Sequence, residues 1–481
     1  MSHALHKSMT NRTMYLPGFS GLMRRSRAQT TATQVMREAS AAEGLAKLVA
    51  NFIPTELFAT KDGGRERMFT PMVTFTAFLG QVMSRGSSCR EAVRLVQTWF
   101  LAASKQSPDD STSAYCQARG RLELAQIRAA FRRVCGWFED KPVSKDLWGG
   151  RRVMVMDGTG ISMPDTKANR EVYEYAGGQK EGCGFPTGKL LGLFSLASGH
   201  LHQFVQGNWK EHDISMARSV VGWVDIGDIV VADRGFCGWS LMALLARKNV
   251  DVVLRLHQAR RPRGDRDEWA KPQRQGDWDT ALWAELPESI SVRIVHYRIE
   301  EPGFRTKEVT LVTTLLDTRK YPDKTILDLY LRRWRVELSF RDIKTTLGLD
   351  ILRTKSPALV EKEIYMQAIA YNIVRGVMLQ SAQQYDEDLE RMSFKGTVDT
   401  LRQWTRFMGQ RDPKLLNARW HDLLCALAAD LVPHRPNRSE PRAVKRRPKV
   451  YQQLTGPRDK MVVSKSRRNR GAPNASKSAL T

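Results

Sequence analysis

Paired cysteines are missing from this chain. Its 481 residues hold six (Cys89, Cys116, Cys135, Cys183, Cys237 and Cys425), scattered and with no CxxC pair. That pattern argues against a disulfide framework or a structural zinc site and suits a reducing compartment. No uninterrupted apolar run approaches the ~20 residues needed to span a bilayer. The first 34 residues are polar and basic without the hydrophobic stretch of a secretory signal, so residues 1–34 read as a flexible leader. A soluble protein of the cell interior is expected. The histidines show no zinc spacing worth pursuing beyond His200 and His202, which flank Leu201 on an expected strand and read as structural or surface residues.

Acidic residues are also short. Seventy-six Lys and Arg stand against fifty-one Asp and Glu, leaving a formal charge of +25. A polyanion is the natural partner of such a surface, because each phosphate contact releases condensed counterions. A ribosome-associated or merely basic protein shares the composition. The excess peaks from Arg435 to Lys477, where fourteen Lys and Arg face only Glu440 and Asp459. Apolar residues are sparse there, so residues 435–481 read as a basic, largely disordered tail that either touches nucleic acid or is simply solvated.

What is present is patterned. Residues 35–145 read as helical. Thr70-Pro71 opens one helix, the stretch Ser84–Ser88 breaks it, a second follows through Phe100, and a third begins after Ser111 and runs past Leu122. Two helices around a short Gly-containing turn suit a helix-turn-helix DNA reader, with Arg90, Arg94, Arg119 and Arg121 as DNA-facing candidates; a plain helical bundle fits the same pattern. Near residue 150 strands followed by helices signal an α/β domain with a mixed sheet. It is expected over 146–256 and 306–385, interrupted by a β-rich insertion at 257–305 that holds Trp269, Trp278 and Trp283. A helix is expected over 212–225 and a long one over 325–346, and 386–434 reads as a C-terminal helical region, a candidate for dimerisation.

Two short apolar strands each run into an aspartate, Asp157 and Asp233, with a glycine within two residues. Side chains at strand C-termini project into the crevice where α/β sheets bind ligands. A third carboxylate, Glu337, falls on the long helix. At 100° per residue, Tyr330, Arg333, Glu337 and Lys344 share one narrow stripe about 21 Å long. Such a stripe is neither an apolar core face nor a salt-bridge ladder; it suits a metal-binding carboxylate flanked by phosphate-gripping groups. Carboxylates are the hard ligands that Mg²⁺ or Mn²⁺ prefers. A pair of such ions can activate a water or 3′-hydroxyl and stabilise the leaving oxygen without a protein nucleophile.

The spacing Tyr330-(2)-Arg333-(3)-Glu337-(6)-Lys344 resembles the Y-(2)-R-(3)-E-(6)-K signature of one branch of bacterial insertion-sequence DDE transposases. Asp157-Gly158-Thr159, Asp233-Arg234-Gly235-Phe236, Leu352–Pro357, Ala370-Tyr371-Asn372 and Ser113–Arg119 are similar to the family's other landmarks, so the resemblance runs from about 70 to 385. It implies an RNase H-like catalytic domain with a β-rich insertion, preceded by an all-helical N-terminal domain. It implies catalytic and metal-binding roles for Asp157, Asp233 and Glu337, with two Mg²⁺ (or Mn²⁺) per active site. Tyr330, Arg333 and Lys344, with Arg341 beside them, would grip DNA phosphates. A tryptophan of the insertion, Trp269, Trp278 or Trp283, would stack on a flipped base or simply fill the insertion's core. The implied partners are double-stranded transposon-end and target DNA and a second copy of the chain in a synaptic complex, in a bacterial cytoplasm near the nucleoid. A catalytically inactive DNA-binding derivative, or a nuclease that cleaves without joining strands, is the competing expectation.

Overall fold

The computed structural model describes residues 41–59, 67–103, 105–141, 147–176, 182–257, 260, 264–274, 278–298, 308–409, 412–433 and 456. The expected leader, nearly all of the expected tail and parts of 257–305 lie outside the described residues.

Among the described residues, five helices precede the sheet: α1 (Ala41–Ala50), α2 (Pro71–Met83), α3 (Cys89–Ala102), α4 (Ser113–Arg121) and α5 (Leu124–Glu139). Local chemistry sets their starts. Thr70 caps α2 by accepting from the Val73 N–H at 3.3 Å, with proline at the first turn; Ser88 caps α3 through the Glu91 N–H at 3.2 Å. The single third helix expected from sequence is two helices, because the chain turns extended at Leu122 and Glu123.

The sheet begins with an antiparallel meander of β1 (Val153–Ser162), β2 (Thr187–Ser195) and β3 (Leu201–Asn208), with α6 (Lys167–Tyr173) between the first two strands. Residues 212–225, expected as one helix, give the short α7 (Asp213–Ala217) and a 3-10 turn over Arg218–Gly222. Then β4 (Ile229–Ala232) pairs parallel with β1. After α8 (Trp239–Arg247), β5 (Asp251–Arg255) pairs parallel with β4. The 257–305 segment contributes β6 (Arg266–Ala270), α9 (Thr280–Ala284) and β7 (Ser289–Arg298). These strands prolong the same sheet through β8 (Glu308–Thr313), so the eight strands lie in the order β3-β2-β1-β4-β5-β8-β7-β6.

Alternation along the central strands divides the core. Val153, Val155, Ile229, Val231 and Val253 face one apolar cluster, and Met154, Met156, Val230, Ala232, Val252 and Leu254 face the other, beneath α8. The first cluster is the larger. It takes in α10 (Asp323–Leu331), α11 (Trp334–Arg341) and the 29-residue α12 (Pro357–Tyr385), followed by α13 (Phe394–Trp404) and α14 (Pro413–Ala428). The N-terminal helices join this same cluster through Leu45, Phe52, Phe75 and Phe78. Gly376 of α12 admits the Phe52 ring, since a Cβ there would lie 2.4 Å from Phe52 Cε1.

The expected continuous helix over 325–346 is interrupted. Bonds from Arg333 N to Tyr330 O (3.0 Å), Arg335 N to Arg332 O (3.1 Å) and Val336 N to Arg333 O (3.0 Å) tighten the chain between α10 and α11. Residues Asp342–Leu347 then widen into a π-helical turn, which Gly348 ends at φ 95°, a left-handed conformation that favours glycine.

Candidate active site

Asp157 does not end its strand, as sequence had suggested; β1 runs five residues further, paired with β2 and, at Ser162, bridged to Ile351. What ends at Met156 is the parallel pairing with β4, whose last pair is Met156 with Ala232. Asp157 and Asp233 are therefore the residues that directly follow the last pair of neighbouring parallel strands. Alternation puts both on the face of Val155 and Val231, the side that carries α11. One strand further along, the last pair Ala232 with Leu254 makes Arg255 the neighbour of Asp233. On the other side Asp157 is paired with Gly192. A Cβ at Gly192 would lie 3.1 Å from Phe340 Cζ, so the missing side chain is what seats α11 against the sheet at this point.

Helix α11 brings Glu337 to the same mouth. Its carboxylate accepts from Arg333 Nη2 at 3.2 Å. Arg333 is buried, its guanidinium 5.5 Å from the Tyr330 ring centroid. Burial opposes the Arg333 charge, yet Tyr330 and the carboxylates of Asp233, Asp157 and Glu337 hold its pKa above the ordinary value. From the π turn, Lys344 Nζ donates to Thr159 Oγ1 at 3.0 Å, two residues along β1 from Asp157. The four stripe residues thus converge, although by a tightened turn and a π turn rather than along one ideal helix.

Burial pushes the Asp157 carboxyl up to about 6; the Gly158 N–H (2.8 Å) and Arg333 oppose the shift, while Glu337 and Asp233 add to it. Asp233 Oδ1 is buried and has no hydrogen-bond partner among the described residues. An all-carboxylate donor set, an orphaned buried carboxylate oxygen and a carboxyl reluctant to ionise all fit a hard cation. The site is not a ready-made cage: among the described residues no three Asp, Glu, His or Cys side chains are grouped to hold a metal ion. Asp157 and Asp233 are side by side; Glu337 leans on Arg333.

A family model for the transposase DDE domain matches residues 148–373, from just before β1 into α12. The transposase InsG of insertion sequence IS4 from Escherichia coli K12 is 25% identical over 72% of this chain and 78% of its own length. Together these matches support an insertion-sequence DDE transposase, with the DDE domain over residues 148–373. A putative transposase InsZ of the same organism is 27% identical over 28% of this chain and 46% of its own length. A cryo-EM structure of the piggyBac transposase synaptic complex with hairpin DNA aligns with 85% of this chain and 87% of that one, at 9% identity and TM-score 0.40, too loose a likeness to carry an argument. DDE transposases act on DNA and generally use divalent metal ions.

Several expected contacts of this transposase need correction. Arg119 does not face DNA: it is buried, its guanidinium 5.0 Å from both the Phe78 and Tyr115 ring centroids and donating to Gln81 Oε1 at 3.3 Å. Arg94 is exposed but paired with Asp110 at 2.8 Å. Arg90 and Arg121 are exposed, as is Arg341, which lies 3.5 Å from Asp342. Trp269 and Trp278 are buried, and Trp278 and half-buried Trp283 pack with their ring centroids 5.1 Å apart, so all three help to build the second core. An exposed tryptophan, Trp334, has its ring 5.8 Å from the Arg333 guanidinium. Sequence reading passed over it, and over Gly192, Thr159 and Arg255. Trp334 had a signal, since it directly follows Arg333; the others matter only through strand register. Among the described residues no helix is long and apolar enough to cross a membrane.

Proposed function

We propose that this transposase binds the terminal inverted repeats of its insertion sequence, cleaves both strands through hairpinned ends, and joins the 3′-hydroxyls to target DNA. In this reading β1–β5, in the order 3-2-1-4-5, form an RNase H-like core. Asp157, Asp233 and Glu337 are the catalytic carboxylates. The observation that carries the reading is the side-by-side placement of Asp157 and Asp233 where β1 and β4 part, with the Glu337 helix over them.

Asp157 and Asp233 would hold Mg²⁺ or Mn²⁺ from the sheet, and Glu337 would complete the set by turning from Arg333. Two such ions when bound would activate the attacking oxygen and neutralise the leaving one. The protein's own part is positioning. Arg333 and Lys344 flank the carboxylates and present donors suited to the phosphates beside the scissile bond. Tyr330 supports Arg333 from beneath. Trp334 and the exposed Arg90 and Arg121 offer further surface to DNA, and a second copy of the chain would bring two ends together.

The test is purified protein, Mg²⁺ and DNA bearing the ends of its own element. End-specific nicks, hairpins and joined products are expected. Ala at Asp157, Asp233 or Glu337 should abolish cleavage and keep end binding. Full cleavage by Glu337→Ala would remove the assignment, and cleavage without joining would leave a nuclease.

A further inference from the structure

The guanidinium of Arg333 occupies an unusual place for a DNA-gripping group. Its side chain is only 7% exposed, against 42% for its partner Glu337. Its Nη2 donates to Glu337 Oε1 at 3.2 Å, the Tyr330 ring lies 5.5 Å away, Nε lacks an acceptor among the described residues, and the charges of Asp233 and Asp157 also act on it. A buried cation left uncompensated is strongly destabilising, and so is a group of carboxylates with no cation. Here each requirement meets the other. Of the other nearby cations, Lys344 is bonded to Thr159, Arg341 is exposed beside Asp342, and Arg255 neighbours Asp233 from β5; among them Arg333 is the one bonded to Glu337.

We infer that Arg333 is the resident counter-ion of the metal-free carboxylates, and that divalent metal and the Arg333 guanidinium compete for them. The inference rests on the carboxylate reading above. Two cations within a few ångströms in a poorly solvated site repel strongly. Metal arriving at Asp157, Asp233 and Glu337 therefore loosens the hold on Arg333, whose charge persists and whose planar fork suits a phosphate. The coupling is reciprocal: a phosphate that draws Arg333 away strengthens metal binding, and Arg333 weakens it when no DNA is present. The site would thus acquire its metal together with DNA, which limits unguided cleavage by the free protein.

The experiment is calorimetric titration of Mn²⁺ into the full-length protein without DNA. Arg333→Gln should bind about tenfold more tightly than wild type, a middling value for linked sites. Arg333→Lys, which keeps the charge, should stay close to wild type, a difference that a merely structural role would not produce. In wild type alone, a short duplex of arbitrary sequence should tighten Mn²⁺ binding by a similar factor, so a poorly folded variant does not leave the matter open. Equal or weaker Mn²⁺ binding by folded Arg333→Gln, or no effect of the duplex on wild type, overturns the inference while leaving the carboxylates in place. No Mn²⁺ binding by any of these proteins, with or without duplex, would sink the carboxylate assignment as well.

Discussion

At the residue scale, the proposed chemistry turns on the Asp157 carboxyl, which burial pushes up to about 6. For an acid whose folded pKa is raised, the native state favours the protonated form. Without metal its stabilising contribution is greatest below the unfolded value near 3.8, and it is lost as pH rises through about 6. The swing is at most about 3 kcal/mol at 1.36 kcal/mol per unit, and less because water reaches part of the group. Asp157→Asn should therefore melt at a higher temperature than wild type at pH 8 without metal, and the gap should close at pH 4. Added Mn²⁺ should raise the wild-type melting temperature more at pH 8 than at pH 5, since a proton and a metal compete for one oxygen. A wild-type response independent of pH would count against Asp157 as a ligand. Arg119 makes the contrast. Because it bonds Gln81 and lies over two rings, Arg119→Ala should cost about 2 kcal/mol in a denaturant titration, whereas Arg90→Ala should leave stability alone and weaken end binding.

At the element scale, the close seating of α11 on β2 depends on a glycine. A Cβ at Gly192 would meet Phe194 Cε2 at 2.8 Å and both Leu201 Cδ1 and Phe340 Cζ at 3.1 Å. Overpacking of this kind costs about 1–3 kcal/mol. Gly192→Val should also displace α11, and with it Glu337 and Arg333. The cleavage rate is expected to fall well beyond what lost folded protein explains, with end binding retained. Unchanged cleavage by a folded Gly192→Val protein would show that α11 has room to spare. The π turn matters for the same reason: it delivers Lys344 to Thr159, at a place where an irregular helix often marks a functional site.

At the scale of the whole molecule, the N-terminal helices keep a small cluster of their own around Val93, Val96 and Tyr115, but their larger apolar side is shared with the sheet domain. Phe52, Phe75 and Phe78 belong to one apolar cluster with Ile364, Ile369 and Ile373 of α12. Polar contacts reinforce the joint: Arg353 Nη1 donates to Gly86 O at 2.7 Å and Ser87 O at 3.0 Å, and Arg85 Nη1 donates to Thr345 O at 2.6 Å beside the π turn. Residues 41–141 and 147–433 should therefore unfold in one transition, and a truncation beginning at 147 should be insoluble or molten because it exposes the apolar side of α12. Two well-separated transitions in calorimetry would refute a shared core. End binding should also weaken steeply with salt, as many phosphate contacts require; a flat response would deny the +25 charge its role.

The three carboxylates, the strands that carry two of them and the Tyr330–Lys344 spacing were legible in the linear chain, because strand hydrophobicity and short-range spacing are local properties. The two capped helices α2 and α3 were legible for the same reason. Register was not. That Asp157 and Asp233 become neighbours, that Arg255 lies beside them and that Gly192 must lack a side chain follow from pairing between distant strands, which no single segment encodes. Burial was not legible either: arginine looks equally cationic facing DNA or enclosed by aromatic rings, and only packing placed Arg119 inside and buried Arg333 against Glu337. The residues proposed to do the chemistry are written in order along the polypeptide; which of them meet, and with which counter-charge, was decided by the long-range contacts that give the sheet its pairing and the helices their seats.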